Sequence, residues 1–181
     1  MANVAISGDT SGAVTLTVPA TAGTQTVTFP AATGTAMVSG NMPAFSVTNN
    51  GTGQTVSNAT WTKVALNTKD FDTANAFDTT NYKFLPLVAG YYQISSLVSG
   101  PSSNTQNQIL AVYKNGSALK YIGSSQNLNS TSVINAGPSG SMLLYLNGST
   151  DYIEMWIYQQ TGGSITTAGY AWATGYLARA A

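Results

Sequence analysis

Three Asn-Gly pairs, Asn50-Gly51, Asn115-Gly116 and Asn147-Gly148, punctuate a chain whose apolar residues recur at every second position. Asn-Gly tolerates positive φ at low steric cost, so each pair is a place where an extended chain can reverse. Between and around them, short runs read as strands: Phe45–Val47, Trp61–Leu66, Phe84–Leu85, Gly90–Val98, Gln108–Lys114, Leu119–Gly123, Ser132–Ala136, Ser141–Leu146, Tyr152–Gln159 and Ala168–Leu177. No stretch carries a capped, sustained 3.6-residue apolar period, which removes helical architectures. Many short strands with frequent turn signals predict an all-β sandwich or jelly roll.

Several of these runs are apolar on both faces. In Ser141–Leu146, Met142, Leu144 and Leu146 alternate with Leu143 and Tyr145; in Tyr152–Tyr158, Ile153, Met155 and Ile157 alternate with Tyr152, Trp156 and Tyr158. One face of each fills a sandwich core. The other needs a partner, because broad exposed apolar stripes are rare on monomers, and a symmetric copy supplies one.

Composition narrows the function classes. Charged residues make up 7% of the chain, and six basic and six acidic side chains cancel. Ordinary domains carry roughly 25%. No electrostatic footprint for nucleic acid follows. The chain has no Cys and no His. That excludes disulfides and thiolate metal sites, and removes the commonest general base. The start, Met-Ala-Asn-Val, shows neither the basic nor the apolar region of a secretion signal, and no apolar run reaches membrane-spanning length, so no membrane insertion is expected. A protein made in the host cytoplasm and then exposed as part of a virion fits both observations.

The first forty residues repeat. Thr15-Leu-Thr-Val-Pro-Ala20 returns eleven positions later as Thr26-Val-Thr-Phe-Pro-Ala31. Each copy alternates Thr with an apolar residue, and Pro stops each strand. Strands this short cannot bury an apolar face alone. Residues 1–41 therefore read as an attachment or stem segment that engages the particle through Leu16, Val18, Val27 and Phe29, with an ordinary hairpin packed on its own domain as the competing reading, and residues 42–181 as the jelly-roll body.

The order of motifs in the body resembles a known family. Phe84-Leu-Pro-Leu-Val-Ala-Gly90-Tyr-Tyr92-Gln-Ile94 comes first. Ala111-Val-Tyr-Lys-Asn-Gly116, Gly140-Ser-Met-Leu-Leu-Tyr-Leu146 and Asp151-Tyr-Ile-Glu-Met155 follow, and Thr174-Gly-Tyr-Leu177 closes. Over residues 43–179 this resembles the globular head of the first complement component's q subunit, related to the tumour necrosis factor fold. It departs from that pattern at Ala89, where the family has Pro, and in a polar insert around residues 99–107. The resemblance implies a homotrimeric, non-enzymatic jelly-roll knob. Three copies would meet through the strands at Ser141–Leu146 and Tyr152–Gln159, with Leu144, Tyr145, Tyr152, Trp156 and Tyr158 at the interface. Separately, Gly8-Asp-Thr-Ser-Gly-Ala-Val-Thr-Leu16 with the repeat that follows resembles the opening of many tailed-phage structural proteins.

Site chemistry is sparse. Lysines stand in no nucleophile motif, and six scattered acids single out no catalytic pair. No cofactor is called for. Asp70, Asp72 and Asp78, interleaved with Phe71 and Phe77, are the candidate metal ligands, since calcium takes several oxygens and some members of the resembled family bind it near the trimer axis. No Asp-x-Asp-x-Asp-Gly loop accompanies them, so ordinary turn carboxylates are the competing reading. Trp61, Trp156, Trp172 and ten Tyr raise host-surface glycan binding, because sugars stack on exposed rings. The expected function is a virion structural protein: a homotrimeric knob attached to other virion proteins such as the major capsid protein, as a capsid decoration (cement) protein or head fibre. The alternative is a short tail fibre or an adhesin knob for a host glycan or receptor.

Overall fold

Alternating apolar residues with turn punctuation produce an almost purely β structure. The computed structural model describes all residues except 1–3, 8–9, 18–19, 22, 25, 27–30, 32–35, 39, 41, 101–106 and 126–136. Among the described residues no α-helix forms, and the chain divides into two compact units, Met1–Gly34 and Thr35–Ala181.

In the first unit β1 (Val4–Ser7) pairs antiparallel with β2 (Ala13–Leu16), placing Ile6 opposite Val14 and Val4 opposite Leu16. The partner of the first repeat's strand is thus a segment before the repeat. The second repeat's Val27 and Phe29 lie outside the described residues.

The second unit is a sandwich. One sheet contains β3 (Ala44–Thr48), β6 (Thr68–Asp72), β9 (Gly90–Val98), β12 (Ser139–Leu146) and β15 (Ala171–Ala180), in the order β12-β9-β15-β3-β6. The other contains β5 (Thr62–Lys63), β7 (Phe77–Asp78), β8 (Lys83–Phe84), β10 (Gln108–Lys114), β11 (Ser117–Ser125) and β13 (Ile153–Gln159). Its order is β11-β10-β13-β8-β7, with β5 also on β13. A two-stranded piece joins β4 (Thr55–Val56) to β14 (Ile165–Thr166). Every pairing is antiparallel.

Gly90–Val98 and Gln108–Lys114 are strands with the expected bounds. Trp61–Leu66 is a strand only at Thr62–Lys63, and the last strand runs from Ala171 rather than Ala168, because Ala171 N–H is held by the Asn49 side chain at 3.1 Å while Tyr170 N–H turns back to Ala168 O. Ser132–Ala136 lies outside the described residues. Thr-Lys-Asp-Phe-Asp has no apolar alternation to mark it as a strand, yet β6 forms, because hydrogen bonds to β3 and the clasp at Asp72 hold it.

Inward positions of both sheets build one core. Phe45, Phe84 and Tyr92 interlock, with Phe45–Phe84 centroids at 4.3 Å and Phe84–Tyr92 at 5.5 Å, and Phe77 closes on Phe45 at 5.5 Å. The aromatic block read around Phe84–Ile94 is therefore the heart of the sandwich. Burial pushes the Tyr92 phenol up to about 12, and its O–H donates to Val88 O at 2.7 Å. Of the three Asn-Gly pairs, only Asn115-Gly116 closes a hairpin between neighbouring strands, with both residues at positive φ (53° and 79°). The other two carry the chain from one sheet to a different one.

Candidate functional site

The outward face of the five-stranded sheet is apolar at its β12 end. Strand parity sends Tyr91, Gln93, Ser95 and Leu97 of β9 away from the core, with Leu143 and Tyr145 of β12 and Trp172 and Tyr176 of β15. Register aligns them in rows: Tyr145 with Tyr91, Leu143 with Gln93 and Tyr176, Trp172 with Leu97. The Tyr91 and Tyr145 rings meet at 5.6 Å. Leu143 is 55% exposed, Tyr176 54%, and Tyr91 and Tyr145 each 42%, so four large side chains stand in water on one flat surface.

The six-stranded sheet is also aromatic outside, but its rings cover one another. Trp61 packs against Tyr113 (5.8 Å), Tyr121 (5.3 Å) and Tyr158 (5.3 Å), and Tyr113 stacks on Trp156 at 4.5 Å. Beneath them, outward-facing Ala111 is fully buried without joining the sandwich core. Lys63 Nζ pairs with buried Glu154 at 2.6 Å, and Glu154 also accepts the Trp156 indole N–H at 3.0 Å.

The five residues expected at one interface separate. Leu144 is 7% exposed and lies in the core; this corrects its assignment to the interface, because β12 turns Met142, Leu144 and Leu146 inward. Tyr145 belongs to the exposed face of the five-stranded sheet, whereas Trp156 and Tyr158 lie on the opposite sheet, and Tyr152 sits beside Gly116 with Lys83 over its ring at 4.9 Å. Sequence reasoning missed Tyr91 and Tyr176 as candidates. Their alternation with buried Tyr92, Gly175 and Leu177 was the available signal.

The acidic candidates are not brought together, and among the described residues no group of three or more acids could hold a metal. Asp70 accepts from Ser46 Oγ at 2.7 Å. Asp72 accepts from the Ala76 and Phe77 amides and pairs with Lys69 at 2.8 Å. Asp78 caps the turn at Thr80 and Asn81. Asp70 thus ties β6 to β3, while Asp72 and Asp78 each fasten a turn. Of the attachment candidates, Leu16 is exposed at the end of β2, and Val18, Val27 and Phe29 lie outside the described residues.

Three carboxylates with lowered pKa link pH to stability, the exposed Asp78 among them. Burial raises the pKa of Asp72, but the Lys69 and amide hydrogen bonds outweigh it, so the net shift is downward. Asp151, held by Lys114, Asn115 and the Asn147 amide, is also lowered. A depressed folded-state pKa gives stability that is complete above the ordinary value of 3.8 and lost as pH falls through the folded value. With no His to titrate, the melting temperature is expected to be flat from about pH 5 to 8 and to fall only below about 3.8. Calorimetry across this range checks it; a decline beginning near neutrality would contradict it.

No protein-family model matches the chain. Over 110 residues, 58% of its length, it is 34% identical to YqcC, an uncharacterized protein of Bacillus subtilis (strain 168), and that match spans 29% of YqcC. Three solved structures share its fold, each with a TM-score of 0.54. The globular domain of zebrafish complement 1qA is 23% identical, covering 77% of this chain and 98% of that one. Eiger TNF from S. frugiperda is 14% identical, covering 78% and 95%. PRD1 vertex protein P5 is 16% identical, covering 75% and 94%. The fold is the all-β jelly-roll sandwich of complement q heads and tumour necrosis factor.

Proposed function

We propose that the chain is a non-enzymatic virion structural protein. Its jelly-roll knob, residues 42–181, assembles as a homotrimer, and residues 1–41 attach the knob to the particle as a capsid decoration protein or head fibre. The observation that carries self-assembly is the exposed row of Tyr91, Leu143, Tyr145 and Tyr176 on one sheet. A patch of this kind marks an interaction surface. At about 25 cal/mol per Å2 of apolar area it favours association. Arg179, in register with Tyr91, and Lys114, over the Tyr145 ring, are the charges beside this row among the described residues, so an apolar contact here would depend only weakly on salt.

Attachment rests on the first unit, whose Ile6, Val14 and Leu16 are exposed on one face of a two-stranded sheet too small to stand alone. The phage-like opening segment and the likeness to a PRD1 vertex protein support a virion setting. A second reading, an adhesin knob, is favoured by the aromatic surface around Trp61.

Gold-tagged antibody against the knob, applied to intact phage particles that encode it, tests the assignment. Labelled heads are the expected result, and a chain lacking residues 1–41 should stay folded yet be absent from particles. Label confined to the tail tip would favour the adhesin, and bare particles would overturn the virion reading.

A further inference from the structure

We propose that the outward face of the six-stranded sheet binds a neutral saccharide, with Trp61 and Tyr121 as the stacking platform. Tyr121 is 60% exposed and lies at an interplanar angle of 28° and 5.3 Å from Trp61, with exposed Leu119 beside it on the same strand. Each ring is braced by another: Trp61 by Tyr113 and Tyr158, and Tyr113 by Trp156. A platform already fixed loses little side-chain freedom when a ligand lands on it.

The polar groups on this face select the ligand class. The hydroxyls of Tyr113, Tyr121 and Tyr158 and the indole N–H of Trp61 have no hydrogen-bond partner among the described residues, and none is a buried orphan. Tyr121 is exposed and the other three rings are half-buried, so donors and acceptors border apolar rings, an arrangement that matches a sugar's C–H faces and hydroxyl rim. The charges on the face cancel, since Lys63 is paired with Glu154 at 2.6 Å. Lys120 is paired in register with core-facing Val112, so its side chain leaves from the other side of β11. Among the described residues an anionic glycan would find no free cation on the Trp61 and Tyr121 rings.

This site rests on the adhesin reading, and self-association through the opposite sheet would leave this face open. Wild-type protein is applied to an array carrying neutral and sialylated oligosaccharides, and its mass is measured in parallel by light scattering. Binding to neutral glycans is expected. Tyr121→Ala and Trp61→Ala should each lower it at least tenfold, with unchanged mass and circular dichroism, and Trp61→Phe should retain most of it. Silence on neutral glycans by folded wild-type protein overturns the proposal, as does binding that survives Tyr121→Ala. A drop in mass in the Tyr121→Ala chain also overturns it, because a second copy would then occupy the face. A wild-type chain that is monomeric yet binds neutral glycans would sink the trimer and leave this site standing.

Discussion

Leu143→Asp is expected to yield a folded single-chain protein, whereas Leu144→Asp, one residue on, is expected to yield no folded protein. Leu143 is 55% exposed beside Gln93 and Tyr176 on the outward face, so a carboxylate there remains hydrated in the free chain and is excluded only from an apolar contact between copies. Leu144 is 7% exposed within the core that also contains Leu146 and Tyr92. An aspartate there is a buried charge without a partner, a change in the class that costs more than about 4 kcal/mol. Against a total stability of roughly 5–15 kcal/mol, that is enough to unfold the knob. Circular dichroism and light scattering on the two variants separate the outcomes. A folded Leu144→Asp chain would mean the strand parity of β12 is wrong.

Gly140→Ala is expected to lower the melting temperature by about 2–12 °C, though it adds a single carbon. Gly140 of β12 and Gly123 of β11 lie where the two sheets come together at one edge. A Cβ on Gly140 would run into the backbone carbonyl of Ile122, and one on Gly123 into that of Ser139. Backbone cannot swing aside as a side-chain tip can, so the seam must open. Overpacking of this kind costs about 1–3 kcal/mol, and each kcal/mol moves the melting point of a domain this size by about 2–4 °C. Gly163→Ala is the control, because nothing lies within 4 Å of a Cβ there. Equal melting temperatures for the two variants would show that the seam is not tightly closed.

Strand parity was legible in the sequence, and sheet membership was not. Alternation in Gly90–Val98 and Ser141–Leu146 separates the residues of each run into two faces, and the structure keeps those sets intact. Which set turns inward depends on what lies across the sandwich, so Leu144 could be taken for an interface residue. Tyr145 and Trp156 have equivalent patterns in consecutive strands, yet β12 and β13 belong to opposite sheets. The Asn147-Gly148 pair between them reads like a hairpin turn. Asn147 instead uses its side-chain oxygen to accept the Ser149, Thr150 and Asp151 amides, and the chain crosses over. Local turn chemistry says that a chain reverses, not which strand it will meet. The acidic run failed as a metal site for a related reason: Asp72 and Asp78 bond to amides within five residues, a local use that composition cannot distinguish from ligation.

The mass of the intact wild-type chain in solution, measured by light scattering at micromolar concentration and across about 0.05–1 M salt, tests self-assembly through the exposed sheet face most directly. A mass about three times the 18.7 kDa of one chain, little changed by salt, is the predicted result. A single-chain mass throughout would contradict it and leave Tyr91, Leu143, Tyr145 and Tyr176 without the partner their exposure calls for.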